Sequence, residues 1–358
     1  MIRRSLLATV PVLMVLLPAP AFAITGKQIV TNAIDGFVRP AYAKLGERSS
    51  AMEAAMQTLC KAPSQERLDA AHKSFADIVE AWSEAETIRF GPVTEHNRLE
   101  RMLFWPDRKG TGLRQVQAAL ADKDVTATKA ETLAQKSVAM QGLGALEFVL
   151  YGTGYETLSA PSDPYRCSYG EAIAGNMNSI AREISDAWAK PDGFAATWSQ
   201  PGADNPLYRN STEAVTTLLE VFVNGTELVR DVRVGGFLGE VPKDDKPRQA
   251  LFWRSGQTVP ALKANIEGMS AMYQASHFGE ALPAEMSWID NSVRFEFGNA
   301  VRAADGAQGP LADVLANGQE RGKLAYFKVV TSSLSELFGT RLSGALGLTA
   351  GFSSLDGD

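Results

Sequence analysis

Apolar residues recur at helical spacing along nearly the whole chain, and strand-like alternation of apolar and polar residues is scarce. Ala-rich segments carry Glu, Lys and Gln on their opposite faces, which adds intrinsic helix propensity. The pattern predicts helices over residues 26–60, 64–88, 112–121, 126–151, 168–190, 211–230, 257–278, 284–304 and 320–345. The sequence therefore predicts an all-α protein.

Stretches rich in Gly and Pro separate the predicted helices, and the stretch over residues 191–206 is the best domain boundary. We predict an N-terminal helical bundle over residues 24–200 and a C-terminal helical bundle over residues 206–358. A short motif hints at internal duplication, because Phe104-Trp105 in the first half resembles Phe252-Trp253 in the second.

The first 23 residues have the features of a cleaved signal peptide. Arg3 and Arg4 precede an apolar run over residues 6–17, and Ala21-Phe22-Ala23 fits the small-residue rule for cleavage before Ile24. This run is too short for a comfortable membrane span, and the rest of the sequence contains no apolar run long enough to cross a bilayer. We therefore expect an exported, soluble, periplasmic protein without a transmembrane segment.

The charge balance is moderately acidic. Loss of Arg3 and Arg4 with the signal peptide leaves 33 basic and 41 acidic residues, a net charge of −8. Nucleic-acid binding depends on basic patches, so we expect no nucleic-acid partner. Acidity is compatible with cation binding, and solubility alone explains it equally well.

The two cysteines, Cys60 and Cys167, have only each other as disulfide partners in this chain. An even count in an oxidising compartment favours a disulfide over two separate buried thiols. That bond would close a loop of about 100 residues and stabilise the fold by roughly 4–5 kcal/mol in the chain-entropy model. A metal site that uses both thiols is disfavoured, because neither has a His or a second Cys within a few residues.

One carboxylate, Glu147, lies within an otherwise apolar helical run. An ionised carboxylate is costly to bury unless it is paired, hydrogen-bonded or bound to a cation. If residues 126–151 form one helix, a polar stripe runs along it, formed by Ser137, Gln141, Gly144, Glu147 and Tyr151. Such a stripe faces either a cavity or another polar stripe, where an Arg of a neighbouring helix would neutralise Glu147.

A second polar cluster lies at the end of the helix predicted over residues 64–88. Trp82, Glu86 and Arg89 share one face of that helix, which Gly91-Pro92 ends. Glu86 and Arg89 are spaced to pair with each other, and Arg89 could instead reach Glu147 or bind an anionic ligand. The sequence leaves these alternatives open.

Several chemistries lack their sequence motifs. The chain has no His-Glu-x-x-His motif, which excludes a standard zincin. It also has no Gly-x-Ser-x-Gly motif, no P-loop and no dinucleotide fingerprint. Among the three histidines, His96 and Glu100 have the spacing to share a metal on a helix. His277 and Glu280 spell His-x-x-Glu, but a helix end at Gly279 leads us to expect contacts of His277 with helix-end carbonyl groups.

Five segments together resemble the imelysin-like family, especially its periplasmic subgroup of predicted lipoproteins. They cover both ends of the mature chain and comprise residues 81–93, 104–107, 142–152, 165–167 and 351–358. The family signature Gly-x-His-x-x-Glu maps onto Gly142 and Glu147, with Gly144 at the position of the His. The resemblance implies an all-helical, two-domain, imelysin-like protein linked to bacterial iron uptake, and it brings the M75 peptidase label of the family.

Because Gly144 replaces the signature His of the family, the function that the resemblance implies changes. A carboxylate without its imidazole is a weaker transition-metal site and supplies no His base for peptide hydrolysis. We therefore expect a non-catalytic protein that binds a metal, such as iron or another divalent ion at Glu147, or a small chelated or anionic ligand. The residues expected at this ligand site are Glu147, Gly144, Gln141, Arg89 and Glu86.

The same resemblance suggests envelope iron-uptake components as partners. Two alternatives remain open at this point. One is an M75-type metallopeptidase. The other is a ligand-free scaffold or partner-binding module in which Glu147 is only a buried ion-pair residue.

Overall fold

The computed structural model describes residues 24–349, and all regular secondary structure in that range is helical. The prediction of an all-α fold is confirmed. Among the helices of residues 24–349, none combines the length and the apolar character that a membrane span requires. The predicted signal peptide, residues 1–23, and the tail over residues 351–358 lie outside the described residues.

The helices of the N-terminal half are numbered in chain order. They are α1 (Gly26–Ala33), α2 (Arg39–Lys61), α3 (Gln65–Ala85), α4 (Arg98–Met102), α5 (Thr111–Asp122), α6 (Ala130–Leu133), α7 (Gly142–Tyr151), α8 (Pro164–Ala189) and α9 (Phe194–Ser199). A π-helical segment, Ile34–Val38, joins α1 to α2 without a break.

The C-terminal half continues the same architecture. Its helices are α10 (Ser211–Glu227), α11 (Thr258–Ala275), α12 (Trp288–Asp305), α13 (Leu311–Ala316), α14 (Gly318–Glu336) and α15 (Ser343–Leu346). The π-helical segment Leu228–Val234 extends α10, and Leu337–Leu342 joins α14 to α15.

In the N-terminal half, α2 packs along both α3 and α8. Ser64 caps the start of α3, where its Oγ accepts a hydrogen bond of 3.3 Å from the backbone N–H of Arg67. The predicted disulfide is confirmed, and it joins Cys60 at the end of α2 to Cys167 in the first turn of α8.

The C-terminal half packs onto the N-terminal half through several helices. Within the C-terminal half, α12 packs on α14 and on α11. Between the halves, α11 packs against α3, and α10 packs against α1. The buried apolar side chains of both halves belong to one continuous cluster. The division near residues 191–206 therefore stays a prediction, because the core runs across it.

The helix predicted over residues 126–151 is wrong in its first half. Between α6 and α7 the chain forms a short 3-10 turn, Val138–Met140, and Gln141 is extended. Gly142 then takes a φ of +72°, and a Cβ there would lie 2.3 Å from the carbonyl oxygen of Met102. The close approach of α4 thus requires a turn at Gly142, so Ser137 and Gln141 lie outside the helix that carries Glu147.

Candidate functional site

A cavity of about 550 Å³ opens between the two halves of the chain. Its wall is formed by parts of the segment 104–116, the beginning of α7, residues 231–236 and the loop 248–254. This volume lies within the range of roughly 300–1,000 Å³ that is usual for small-molecule sites. The cavity also brings the two Phe-Trp pairs of the sequence to one place.

Glu147 lies in the wall of this cavity and is 4% exposed. Its Oε1 accepts hydrogen bonds from the backbone N–H of Ser255, at 3.0 Å, and from Ser255 Oγ, at 2.8 Å. Ser255 Oγ also lies 3.1 Å from the carbonyl oxygen of Phe252, and its one proton serves a single acceptor at a time. The carboxylate of the N-terminal half is therefore held by a loop of the C-terminal half.

Burial dominates the electrostatic setting of Glu147. Burial raises the pKa of Glu147 above its ordinary value, and the hydrogen bonds from Ser255 and the positive charge of Arg254 offset this in part. Arg254 directs its guanidinium at aromatic rings, 4.5 Å from the ring centre of Trp253 and 5.5 Å from that of Phe148. Within the described residues, Glu147 is hydrogen-bonded to the loop and forms no salt bridge with a guanidinium.

Gly144 also lines the cavity, one turn before Glu147 on α7. A Cβ built at Gly144 would meet nothing within 4 Å. The absence of a side chain therefore leaves open space beside Glu147.

Gln141 lines the same cavity and is 1% exposed, yet its amide is already engaged. Its Oε1 accepts hydrogen bonds from Asn176 Nδ2, at 2.8 Å, and from Arg101 Nε, at 3.3 Å. Its Nε2 donates to the carbonyl oxygen of Lys136 at 2.9 Å. Gln141 thus fixes the turn before α7.

Aromatic side chains from both halves form much of the cavity wall. They are Phe104, Trp105, Phe148, Phe252 and Trp253. Phe252 is fully buried with a φ of +59°, a left-handed conformation that costs a non-glycine residue about 1–2 kcal/mol. Its ring packs edge-on against Phe75 of α3, with the ring centres 6.0 Å apart. Packing against α3 therefore holds a strained residue at the cavity wall.

Two acidic residues of the wall are engaged elsewhere. Asp107 accepts hydrogen bonds from the backbone N–H groups of Thr111, at 2.6 Å, and Gly112, at 2.9 Å, at the start of α5. Asp231 lies 2.6 Å from Nη2 of Arg230. The basic residues of the wall are Arg108, Arg248 and Arg254. With Glu147, the wall therefore carries three acidic and three basic side chains, and Asp231 is paired with the neighbouring Arg230.

Glu86 and Arg89 do not line this cavity. Glu86 is buried at the end of α3 and forms a salt bridge with Nη2 of Arg233, which is also buried. Asn265 Nδ2 donates to Glu86 Oε2 at 3.2 Å. Arg89 is exposed, so the structure answers the question that the sequence left open: Glu86 pairs with Arg233, and Arg89 reaches neither Glu147 nor the cavity wall.

The histidines do not build a metal centre with acidic neighbours. No group of three or more His, Cys, Asp or Glu side chains in residues 24–349 could hold a metal ion. His277 Nδ1 lies 2.7 Å from Glu280 Oε1, so the expected contact of its side chain with helix-end carbonyl groups is wrong. His96 is exposed and has a φ of +54° within a short 3-10 turn, outside the α-helix that a shared site with Glu100 requires.

Sequence reasoning missed the partners that the C-terminal half supplies. Ser255 donates hydrogen bonds to Glu147 across 108 positions of sequence, and the guanidinium of Arg254 lies over the ring of Trp253 in the cavity wall. The resemblance between Phe104-Trp105 and Phe252-Trp253 is the sequence signal that could have indicated that the loop 248–254 lies at the site.

Comparisons with known proteins agree with this architecture. The Imelysin family model matches residues 38–337. Iron-regulated protein A of Synechococcus elongatus is 22% identical over 322 residues, which span 87% of this chain and 83% of that protein.

Two solved structures share the fold. An imelysin-like protein of Psychrobacter arcticum 273-4 has a TM-score of 0.74 at 20% identity, over 91% of this chain and 97% of that chain. A structure from Parabacteroides distasonis, named for an iron-regulated protein A precursor, has a TM-score of 0.75 at 14% identity, over 92% and 97%. Because the family model covers most of the sequence, the chain belongs to the imelysin family.

Proposed function

We propose that this chain is an exported, non-catalytic binding protein that holds a small anionic ligand or a chelated metal in the cavity beside Glu147. The name of its relative in Synechococcus elongatus, iron-regulated protein A, supports a connection with iron uptake. The signal-peptide features of residues 1–23 support export to the periplasm, where envelope iron-uptake components would be its partners.

One observation carries the proposal. Glu147 is buried, yet it lies at the wall of a cavity of about 550 Å³ and is held by hydrogen bonds from Ser255, without a guanidinium salt bridge among the described residues. Glu86, by contrast, is paired directly with the guanidinium of Arg233. Glu147 therefore keeps an acceptor group available to a ligand.

The donor set favours a chelated metal or an anion over a bare ion. A bare transition metal is held by several protein ligands, and the part of the chain that the structure describes has no cluster of three such side chains. The metallopeptidase hypothesis draws no support from these residues for the same reason. The arginines of the wall instead suit an anionic ligand.

Calorimetric titration of residues 24–358 tests the proposal. We expect heat of binding with ferric chelates such as ferric citrate or haem, and none with ferrous salts alone. Glu147→Gln should weaken this binding at least tenfold. The exposed Glu336, which pairs with Arg341, provides the control Glu336→Gln, which should bind as the unmodified protein does. Absence of binding by every iron salt, chelate and anion would refute the proposal.

A further inference from the structure

We infer that the ligand of this cavity is a small hydroxylated aromatic carboxylate, either free or as the organic shell of a ferric chelate. This inference rests on the proposed function and specifies its ligand. It follows from three features of the wall: the rings, the guanidinium groups and the remaining acceptor.

The rings come from both halves of the chain. Phe104-Trp105 belongs to the N-terminal half and Phe252-Trp253 to the C-terminal half, and Phe148 of α7 also lines the cavity. Aromatic rings favour another ring in stacked or edge-to-face geometry over a saturated group of equal size. A wall of this composition selects a flat ligand.

The guanidinium groups are already positioned on those rings. Arg254 lies 4.5 Å from the ring centre of Trp253, and Arg248 lies 5.8 Å from the same ring. A guanidinium that stacks on an aromatic face keeps its N–H donors in the plane, where they can bind a carboxylate in bidentate fashion. The acids Asp107 and Asp231 do not compete, because α5 and Arg230 already bind them.

The acceptor is Glu147. Its Oε1 is bound by Ser255, and the open space at Gly144 lies one turn away on the same helix. A hydroxyl group on the ligand ring can donate to this carboxylate, which no carboxylate or halide of the ligand could do. Ring, carboxylate and hydroxyl group together define the ligand class, and the cavity volume of about 550 Å³ accommodates it.

Titration with a set of probes tests the ligand class, and calorimetry and tryptophan fluorescence measure the binding. The probes are 2,3-dihydroxybenzoate, its ferric complex, and cyclohexanecarboxylate, which has the carboxylate without the aromatic ring. We expect at least tenfold tighter binding of dihydroxybenzoate, free or ferric, than of cyclohexanecarboxylate. Binding of the ferric complex alone would assign the chelate, and binding of the free acid would assign the free anion.

Variants locate the binding. Trp253→Leu and Arg254→Gln should each weaken it at least tenfold. The matched controls Trp288→Leu and Arg341→Gln change exposed side chains outside the cavity wall and should bind within twofold of the unmodified protein. Thermal unfolding of each variant confirms that it is folded, and the probe comparison on the unmodified protein needs no variant.

The outcomes separate the two proposals. Equal binding of cyclohexanecarboxylate, or binding of ferric citrate with no binding of dihydroxybenzoate in either form, would overturn the ligand class and leave the proposed function standing. Loss of affinity in the controls as large as in Trp253→Leu and Arg254→Gln would also overturn it. Failure of every iron salt, chelate and anion to bind would overturn both.

Discussion

Among single residues, Glu147 has the clearest link between ionisation and folding. Its pKa is raised above 4.5 because burial disfavours the charged form, so the folded chain holds this proton more tightly than the unfolded chain. Ionisation of Glu147 therefore opposes folding. This cost is absent at a pH below 4.5 and grows as the pH rises from there toward the folded-state pKa.

Glu147→Gln should remove this pH-dependent cost, since glutamine keeps the shape and an acceptor oxygen for Ser255 but carries no charge. The free energy of unfolding of the variant, measured in urea, should rise relative to the unmodified protein as the pH increases from 4 to 8. A difference that stays constant, or that falls over this range, would contradict the raised pKa. Glu336→Gln, at an exposed position, serves as the control.

Two glycines of α7 make a matched pair. Gly144 has nothing within 4 Å of a built Cβ, so Gly144→Ala should raise the free energy of unfolding by about 0.5–1 kcal/mol through helix propensity. Gly142 has a φ of +72° and a built Cβ 2.3 Å from the carbonyl oxygen of Met102. Gly142→Ala should therefore destabilise the chain by more than about 1 kcal/mol. Urea unfolding checks both, and equal effects of the two changes would contradict the geometry.

At the scale of elements, a buried ion pair fixes the end of α3 to the π-helical segment Leu228–Val234. Arg233→Met leaves the carboxylate of Glu86 buried without its cation, which should cost about 3–5 kcal/mol in the free energy of unfolding. The double variant Glu86→Leu, Arg233→Met replaces both charges by apolar groups and should recover most of that loss. A double variant as unstable as the sum of its single changes would show that the pair is not coupled.

The helices were largely predictable from the sequence, since apolar periodicity is a local property. The prediction over residues 64–88 matches α3, and that over residues 112–121 matches α5. The helix prediction over residues 126–151 was wrong in its first half because the turn at Gly142 depends on a tertiary contact with the backbone of α4. The same limit applies to the site: Glu147, Gly144 and Gln141 do line one cavity, whereas Arg233 and Ser255 are partners that only the fold brings close.

For the whole molecule, the disulfide is the covalent link between α2 and α8. Cys60 and Cys167 are 107 positions apart, and a loop of that length corresponds to roughly 4–5 kcal/mol in the chain-entropy model. The double variant Cys60→Ser, Cys167→Ser should lose about this free energy of unfolding in urea. A reducing agent should lower the stability of the unmodified protein by a similar amount and leave the double variant unchanged. A response of the double variant to the reductant would contradict this account.

The packing of the two halves determines how the molecule unfolds. Because α1 packs on α10, α3 packs on α11 and the apolar core is continuous, separation of the halves would expose large apolar faces on both. We therefore expect one cooperative transition in urea, with coincident midpoints by tryptophan fluorescence and far-ultraviolet circular dichroism. A fragment of residues 24–205 should then unfold without cooperativity, since the faces of α1 and α3 that contact the C-terminal half would be in water. Two separate midpoints, or a cooperatively folded fragment, would instead establish the domain division predicted from the sequence.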